Sequence, residues 1–265
     1  LLMAEPVGTP ISYHDGEVVT LDFDPAKHYY RVAGEYVPAT TTILDNIAKP
    51  ALIPWAVSEG VKFFKENTKT LEPYENGFTF ADEMGVAEMA KGMTSAWRRR
   101  SKAAMHIGTM VHKYAEDAVQ WKLGKNPDIP KIPDNEKAKN SIEAFRTWVR
   151  SKDIEWITSE EKLYHRKYKY AGTVDAVANI DGEFCVVDWK TSKAIYPPYY
   201  LQCAAYAKCI EDIYDKPVEA AYILRFDKET GAFESAKSEN IDADFIAFLG
   251  ALHLYKRLKE IENRS

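Results

Sequence analysis

The chain has 265 residues, of which 46% are hydrophobic and 28% charged, with a formal net charge of −5 at pH 7. That composition fits one large or two small globular domains with ample material for a core, and the acidic balance argues against a protein that holds polyanions by nonspecific charge alone. No apolar run reaches the roughly 18 residues a membrane-spanning helix needs, so no membrane partner is expected.

In chain order, the start Leu1-Leu2-Met3-Ala4-Glu5-Pro6 has neither a basic flank nor an apolar signal region, and Met3 reads as a native start. Residues 17–23, 29–32 and 36–37 read as short strands. Pro38-Ala39-Thr40-Thr41-Thr42 leads into a short helix with a threonine as its cap. Lys49-Pro50-Ala51-Leu52 opens a second helix, with proline in its first turn, running to about residue 67. Residues 68–78 read as loop. Two helices follow, over 81–105 and 107–123, and the first ends in the basic stretch Trp97-Arg98-Arg99-Arg100-Ser101-Lys102. Residues 124–134 carry three prolines and read as a connection. Residues 135–151 have Ile142, Phe145, Trp148 and Val149 at helical spacing.

The pattern then changes. Residues 155–164, 170–180 and 184–189 read as three successive strands, 201–214 as a helix, 218–226 and 232–238 as strands, and 241–262 as a closing helix. This order predicts an α/β fold with a mixed central sheet flanked by helices and a largely helical N-terminal portion. The expected division is 1–104 and 105–265, close enough to form one compact unit.

The hairpin between the second and third of these strands is readable in register. Ile180-Asp181-Gly182-Glu183 places Asp-Gly between two apolar runs, the signature of a two-residue turn. Asp175 lies five residues before Ile180, and Asp188 five after Glu183. The two acids therefore face each other, in a non-hydrogen-bonded pair with Cα atoms roughly 4.5 Å apart. Like charges so placed destabilise a sheet, and a divalent cation between them reverses the sign. Lys190 points to the same face. Metal-dependent phosphodiester cleavage needs carboxylates on a hard cation, an activated water and a positive partner for the developing charge. Asp175 and Asp188 supply the first, and Lys190 can orient the water and offset charge. The Trp189 carbonyl is a further candidate ligand. An isolated Asp-x-Lys is common by chance; the acid pair gives it weight.

Two helix faces add to the set. His112 and Glu116 are four apart beside an apolar stripe of Ile107, Val111, Ala115 and Ala118. A histidine there is more often a core residue than a ligand. Gly108 lets another segment approach. Gln202 and Tyr206 are also four apart, on the helix after the Lys190 strand. The aromatic-basic run from His165 to Tyr170 reads equally as surface or as a phosphate-facing patch.

Taken together, His112, Gly172 with Asp175, Asp188 with Lys190 and Thr191, and Gln202 with Tyr206 resemble, in order and spacing, the RecB-like branch of the PD-(D/E)XK nuclease superfamily. The resemblance covers roughly residues 105–226. Residues 36–44, with Lys49-Pro50-Ala51-Leu52 and Trp55-Ala56, are similar to the N-terminal segment of phage exonucleases and of the mitochondrial genome maintenance exonuclease. The resemblance implies a restriction-endonuclease-like fold and a metal-dependent exonuclease acting on DNA, at single-stranded ends, in recombination, repair or replication. A structure-specific endonuclease and a silent DNA-binding subunit are the alternatives. It implies His112, Asp175, Asp188 and the Trp189 carbonyl as ligands of one or two Mg²⁺ or Mn²⁺ ions, with Glu116 acting through water. Lys190 would be catalytic, and Gln202 and Tyr206 would position the strand and the lysine. Glu161 is a further candidate beside the metal. Arg98, Arg99, Arg100, Lys102, Thr191, Ser192 and Tyr199 are the expected DNA contacts.

A subgroup of these nucleases carries a four-cysteine iron–sulfur cluster. This chain has three cysteines, Cys185, Cys203 and Cys209, so no cluster is expected. No Walker phosphate loop is present, so no helicase motor is expected either. The odd cysteine count suits a reducing compartment, and the size and the resemblance of the front segment suit the cytoplasm of a bacterium or a phage-infected host.

Overall fold

The computed structural model describes residues 8–24, 29–47, 52–68, 83–227, 230 and 232–264; for 52, 68, 83–86 and 100–107 it describes the backbone only. The chain forms two compact units, residues 1–47 with 108–265, and residues 48–107. The N-terminal strands thus belong with the large C-terminal part rather than with the residues up to 104.

The larger unit begins with an antiparallel meander of β1 (Thr9–Ser12), β2 (Val18–Asp24), β3 (Tyr29–Val32) and β4 (Glu35–Val37), in that spatial order. Strand β1 was not legible because Pro10 interrupts it; proline is tolerated there because β1 is an edge. The N-terminal part therefore carries a sheet as well as helices. Helix α1 (Thr40–Leu44) follows. Its cap is Ala39, with no side-chain cap bond. The Thr40 hydroxyl is used elsewhere, donating to the Ala171 carbonyl at 3.0 Å.

Helix α2 (Leu52–Thr68) lies in the smaller unit. The two helices expected over 81–105 and 107–123 are one, α3 (Glu83–Lys122). Gly108 was the only break signal between them, and one interior glycine costs about 1 kcal/mol, which a long helix absorbs. Helix α4 (Glu136–Arg150) is capped by the Asn135 side chain, which accepts from the Ala138 N–H.

The second sheet is mixed, in the order β5 (Ile154–His165), β6 (Tyr170–Ile180), β7 (Glu183–Lys190), β8 (Ala220–Phe226), β9 (Phe233–Ser238). Only β7 and β8 are parallel. Parallel neighbours need a crossover, and α5 (Pro197–Tyr214) makes it. This helix starts four residues earlier than expected because Pro197 and Pro198 occupy its first turn, where their fixed φ is already helical. Helix α6 (Ile241–Glu262) closes the chain. The fold is α/β, as the element order predicts.

A single buried cluster joins Val177, Val186 and Ile223 of the sheet to Cys203 and Ile210 of α5 and to Phe248 and Leu252 of α6. Phe145 of α4 packs edge-on against Trp189 and Phe226.

The His165–Tyr170 stretch is a packed hairpin end. Arg166 is tied to Asp15, Glu17 and Asp212 and lies over the Tyr13 ring, 4.0 Å from its centroid. His165 stacks on Phe245 and contacts Tyr168 and Tyr170, and its Nδ1 is buried without a hydrogen-bond partner. Burial holds this imidazole down to about 4. The folded state therefore takes up this proton less readily than the unfolded state. Stability is complete above the ordinary histidine range and is lost as pH falls from about 6.5 toward about 4. His165→Phe keeps the stacking and removes the proton site. Urea melts at pH 5 and pH 7.5 should show a smaller pH dependence in the variant; an unchanged difference would refute this origin.

Candidate active site

The turn Asp181-Gly182 has φ of 53° and 90°, both in the left-handed region that a type I′ turn requires. It sets the β6–β7 register at Ile180↔Glu183 through Ala176↔Val187. That ladder ends one step short of Asp175 and Asp188, whose nearness shows instead in the Asp188 charge that acts on the Asp175 carboxyl. Asp175 Oδ2 accepts the Trp189 N–H at 2.6 Å, which ties the acid to the strand that carries Asp188 and Lys190.

A third acid joins this pair. The ladder between β5 and β6 pairs Ser159 with Ala176 and Glu161 with Val174, so Glu160 comes opposite Asp175. Its φ is 55°, a costly conformation for a glutamate and one that concentrates at functional sites. Burial first, then the charges of Asp175 and Glu116, push its carboxyl up to about 7, with His112 opposing. The neighbouring Glu161 is engaged elsewhere, its Oε2 accepting the Tyr214 hydroxyl at 3.0 Å. The sequence reading thus placed the extra acid one residue too late.

Asp188 is 2% exposed. Its Oδ2 touches the Lys190 ammonium but has no hydrogen bond of normal geometry. Its Oδ1 lies 3.4 Å from Gln202 Nε2, which also donates to the Tyr206 hydroxyl at 2.8 Å. The Lys190 ammonium lies 5.1 Å from the centre of the Tyr199 ring. Burial alone lowers the affinity of Lys190 for its proton, but Asp188 and Asp175 outweigh it and the net shift is upward. Asp175 shifts upward too, through burial and then the Asp188 charge. The Lys190 ammonium is thus shared by Asp188 and Asp175, while Glu160 is opposed by His112 and Lys162.

His112 donates from Nε2 to the Trp189 carbonyl at 3.0 Å. Two expected ligands are thus joined to each other, and Nε2 could hold a metal in the tautomer that carries the ring proton on Nδ1. Among the described residues, no group of three His, Cys, Asp or Glu side chains converges as a ligand set. The donors nevertheless fit a hard divalent cation in kind: paired carboxylates, a backbone carbonyl and a buried carboxylate oxygen without a donor. Glu116 accepts from Gln120 at 3.1 Å and lies 3.6 Å from the Lys113 ammonium.

The remaining expected contacts divide. A Cβ on Gly108 would lie 2.6 Å from the Thr191 hydroxyl, so the glycine lets α3 approach the end of β7. The Ser192 hydroxyl turns to the Ala194 carbonyl at 2.8 Å. Within the smaller unit Arg98 lies over the Trp97 ring, and Arg99 lies over the Phe63 ring and donates to the Gly92 carbonyl. Arg100 and Lys102 lie outside the residues whose side chains are described.

The N-terminal segment supports the site from below. Ala39 bridges Ala171, and the Ala171 N–H donates to the Pro38 carbonyl at 3.0 Å. This sets Thr40 beside Gly172, where a Cβ would lie 3.3 Å from the Thr40 hydroxyl and 2.5 Å from Tyr206 Cε1. Gly172→Ala is expected to destabilise the fold by about 1–3 kcal/mol and to push Tyr206 away from Gln202. A chemical melt measures the first effect, and a variant as stable as wild type would contradict it.

No family model matches this sequence, and neither does any curated protein. Among solved structures, it is similar to an alkaline exonuclease, LHK-Exo, from Laribacter hongkongensis, at TM-score 0.29 and 12% identity, over 57% of this chain and 84% of that one. The same enzyme in complex with dAMP gives a TM-score of 0.28 at 13% identity, over 57% and 85% of the two chains. A protein described as SSO0001 gives 0.24 at 14% identity, over 43% and 55%.

Proposed function

We propose that the chain is a Mg²⁺- or Mn²⁺-dependent deoxyribonuclease of the RecB-like PD-(D/E)XK type, working as an exonuclease from single-stranded DNA ends. The observation that carries this reading is the acid cluster at the end of the hairpin: Asp175 accepts the Trp189 N–H next to Asp188, with Lys190 on Asp188. Unused, an acid trio with one ammonium is a stability cost. With a divalent cation and a phosphodiester it becomes the working part of a hydrolase.

In this reading Asp175, Asp188 and the Trp189 carbonyl hold the cation, joined by His112 in the tautomer that carries its ring proton on Nδ1. The cation supplies a lowered water pKa and charge neutralisation at the phosphate. Lys190 holds the attacking water and offsets charge on the phosphoryl oxygens. Gln202 fixes the Asp188 carboxylate, and Tyr206 fixes Gln202. Glu160 is placed to accept a proton from water.

The test is digestion of end-labelled single- and double-stranded oligonucleotides, with Mg²⁺, with Mn²⁺ and with chelator. Cation-dependent shortening from the ends, with circular single-stranded DNA left whole, is expected. Cleavage of the circle would replace the exonuclease reading with an endonuclease one, and no cleavage under any condition would remove both.

A further inference from the structure

Helix α6 is apolar on two opposite faces. Its inner face, Ile241, Phe245, Phe248, Leu252 and Tyr255, is buried in the core. At 100° per residue the opposite face carries Ala243, Ile246, Ala247, Gly250, Leu254, Leu258 and Ile261. Ile246 is 70% exposed and Leu254 50%, and Leu258 and Ile261 are also exposed. A surface helix ordinarily presents polar residues outward, and a helix apolar all round is ordinarily buried.

Gly250 sits at the middle of this outer face. Among the described residues a Cβ there would meet nothing within 4 Å, so none of them requires a glycine. An interior helical glycine costs about 1 kcal/mol relative to alanine. With Ala243 and Ala247 it forms a shallow trough between Ile246 and Leu254, of the kind that admits a close helix. The charges are arranged head to tail as well. Asp242 and Asp244 lie in the first turn, and Lys256 and Arg257 lie toward the other end.

We infer that the occupant of this face is α6 of a second copy of the chain, antiparallel, about a two-fold axis passing beside Gly250. That axis sets Ile246 against Leu254 of the second copy, and Gly250 against Gly250. Arg257 lies on the outer face itself, close to the line of Gly250, with Asp242 on the flank of the same side, and the operation brings each near the other across the axis. A parallel pairing would instead set acid beside acid. Within one chain these two side chains make only surface ion pairs, Asp242 with Lys208 and Arg257 with Glu260, which exchange at little cost. An isologous two-fold contact is also the commonest way a soluble chain closes on itself.

One helix face is at the small end of stable interfaces, so a dimer with a dissociation constant of about micromolar order is expected. Sedimentation equilibrium of the full chain, from about 1 to 100 µM, should show a monomer–dimer transition. Ile246→Glu with Leu254→Glu should weaken it by at least about 100-fold while leaving the far-ultraviolet spectrum and melting curve near wild type, because both side chains are exposed. Should that variant fail to fold, Gly250→Cys gives an independent reading: mild oxidation should yield a disulfide-linked dimer in high yield, since a two-fold beside Gly250 brings position 250 to itself within reach of a disulfide. A chain that stays monomeric throughout the range, or an oligomer untouched by the glutamates with no Gly250→Cys cross-link, overturns the inference.

Discussion

Lys190→Ala is expected to lower the rate of DNA cleavage by about 10³-fold or more while leaving DNA affinity within a few-fold of wild type. The reason lies in where the ammonium sits. It rests on a carboxylate that is 2% exposed and below the Tyr199 ring, in a place where solvent cannot replace its charge. In the proposed reading, removing it takes away the positive group that offsets the developing phosphorane charge, and it releases Asp188 from its ion contact. Binding to the DNA backbone depends on contacts spread over the surface, so a single buried lysine contributes little to it. Single-turnover digestion with enzyme in excess separates the two effects, because it removes differences in affinity from the rate. Lys190→Arg should recover little, since a planar guanidinium cannot take the same place on Asp188. An alanine variant retaining a tenth of the wild-type single-turnover rate would rule out the assigned role.

How much of this centre could be read from sequence depends on turn length. Asp181-Gly182 is a two-residue turn with one dominant geometry, so the β6–β7 register from Ile180↔Glu183 to Ala176↔Val187 followed from counting. The β5–β6 connection is longer and has Glu160 in a left-handed conformation within the strand, a feature no propensity announces; Glu161 was therefore named in its place. Helix contacts are legible only as faces. The spacing of His112 and of Gln202 with Tyr206 fixed which side chains lie together on a helix. That the His112 ring meets the Trp189 carbonyl, and that Gln202 bridges Asp188 and Tyr206, depends on how helices settle on the sheet. The same holds for Thr40, whose hydroxyl was read as a helix cap but spans to Ala171. Its acceptor is 131 residues away in sequence, beyond any local signal.

The second large effect concerns stability, and it has opposite signs with and without cation. In chelator, Asp175→Asn is expected to raise stability by about 1–3 kcal/mol. Asparagine keeps an amide oxygen to accept the Trp189 N–H, so the tie between β6 and β7 survives. Asp188 and Lys190 are then left as a balanced pair, without the Asp175 charge beside Asp188. The pH dependence follows from the direction of the Asp175 shift. Burial, and then the Asp188 charge, raise its carboxyl above the ordinary value of 3.8. The folded chain thus holds this proton more tightly than the unfolded chain does. Wild-type stability is favoured while the group is protonated and declines as pH rises above the unfolded value. The variant lacks that decline, so its advantage should be small near pH 4 and grow toward pH 8. Adding Mn²⁺ reverses the comparison, because a ligand that binds only the folded state stabilises it by mass action. The wild type should gain stability with cation concentration, whereas the variant, with one oxygen ligand neutralised, should gain far less. Thermal melts at pH 8 with and without Mn²⁺ should therefore cross. A variant that is less stable than wild type in chelator, or that gains as much from Mn²⁺, would show that the three acids are a structural network rather than a cation site.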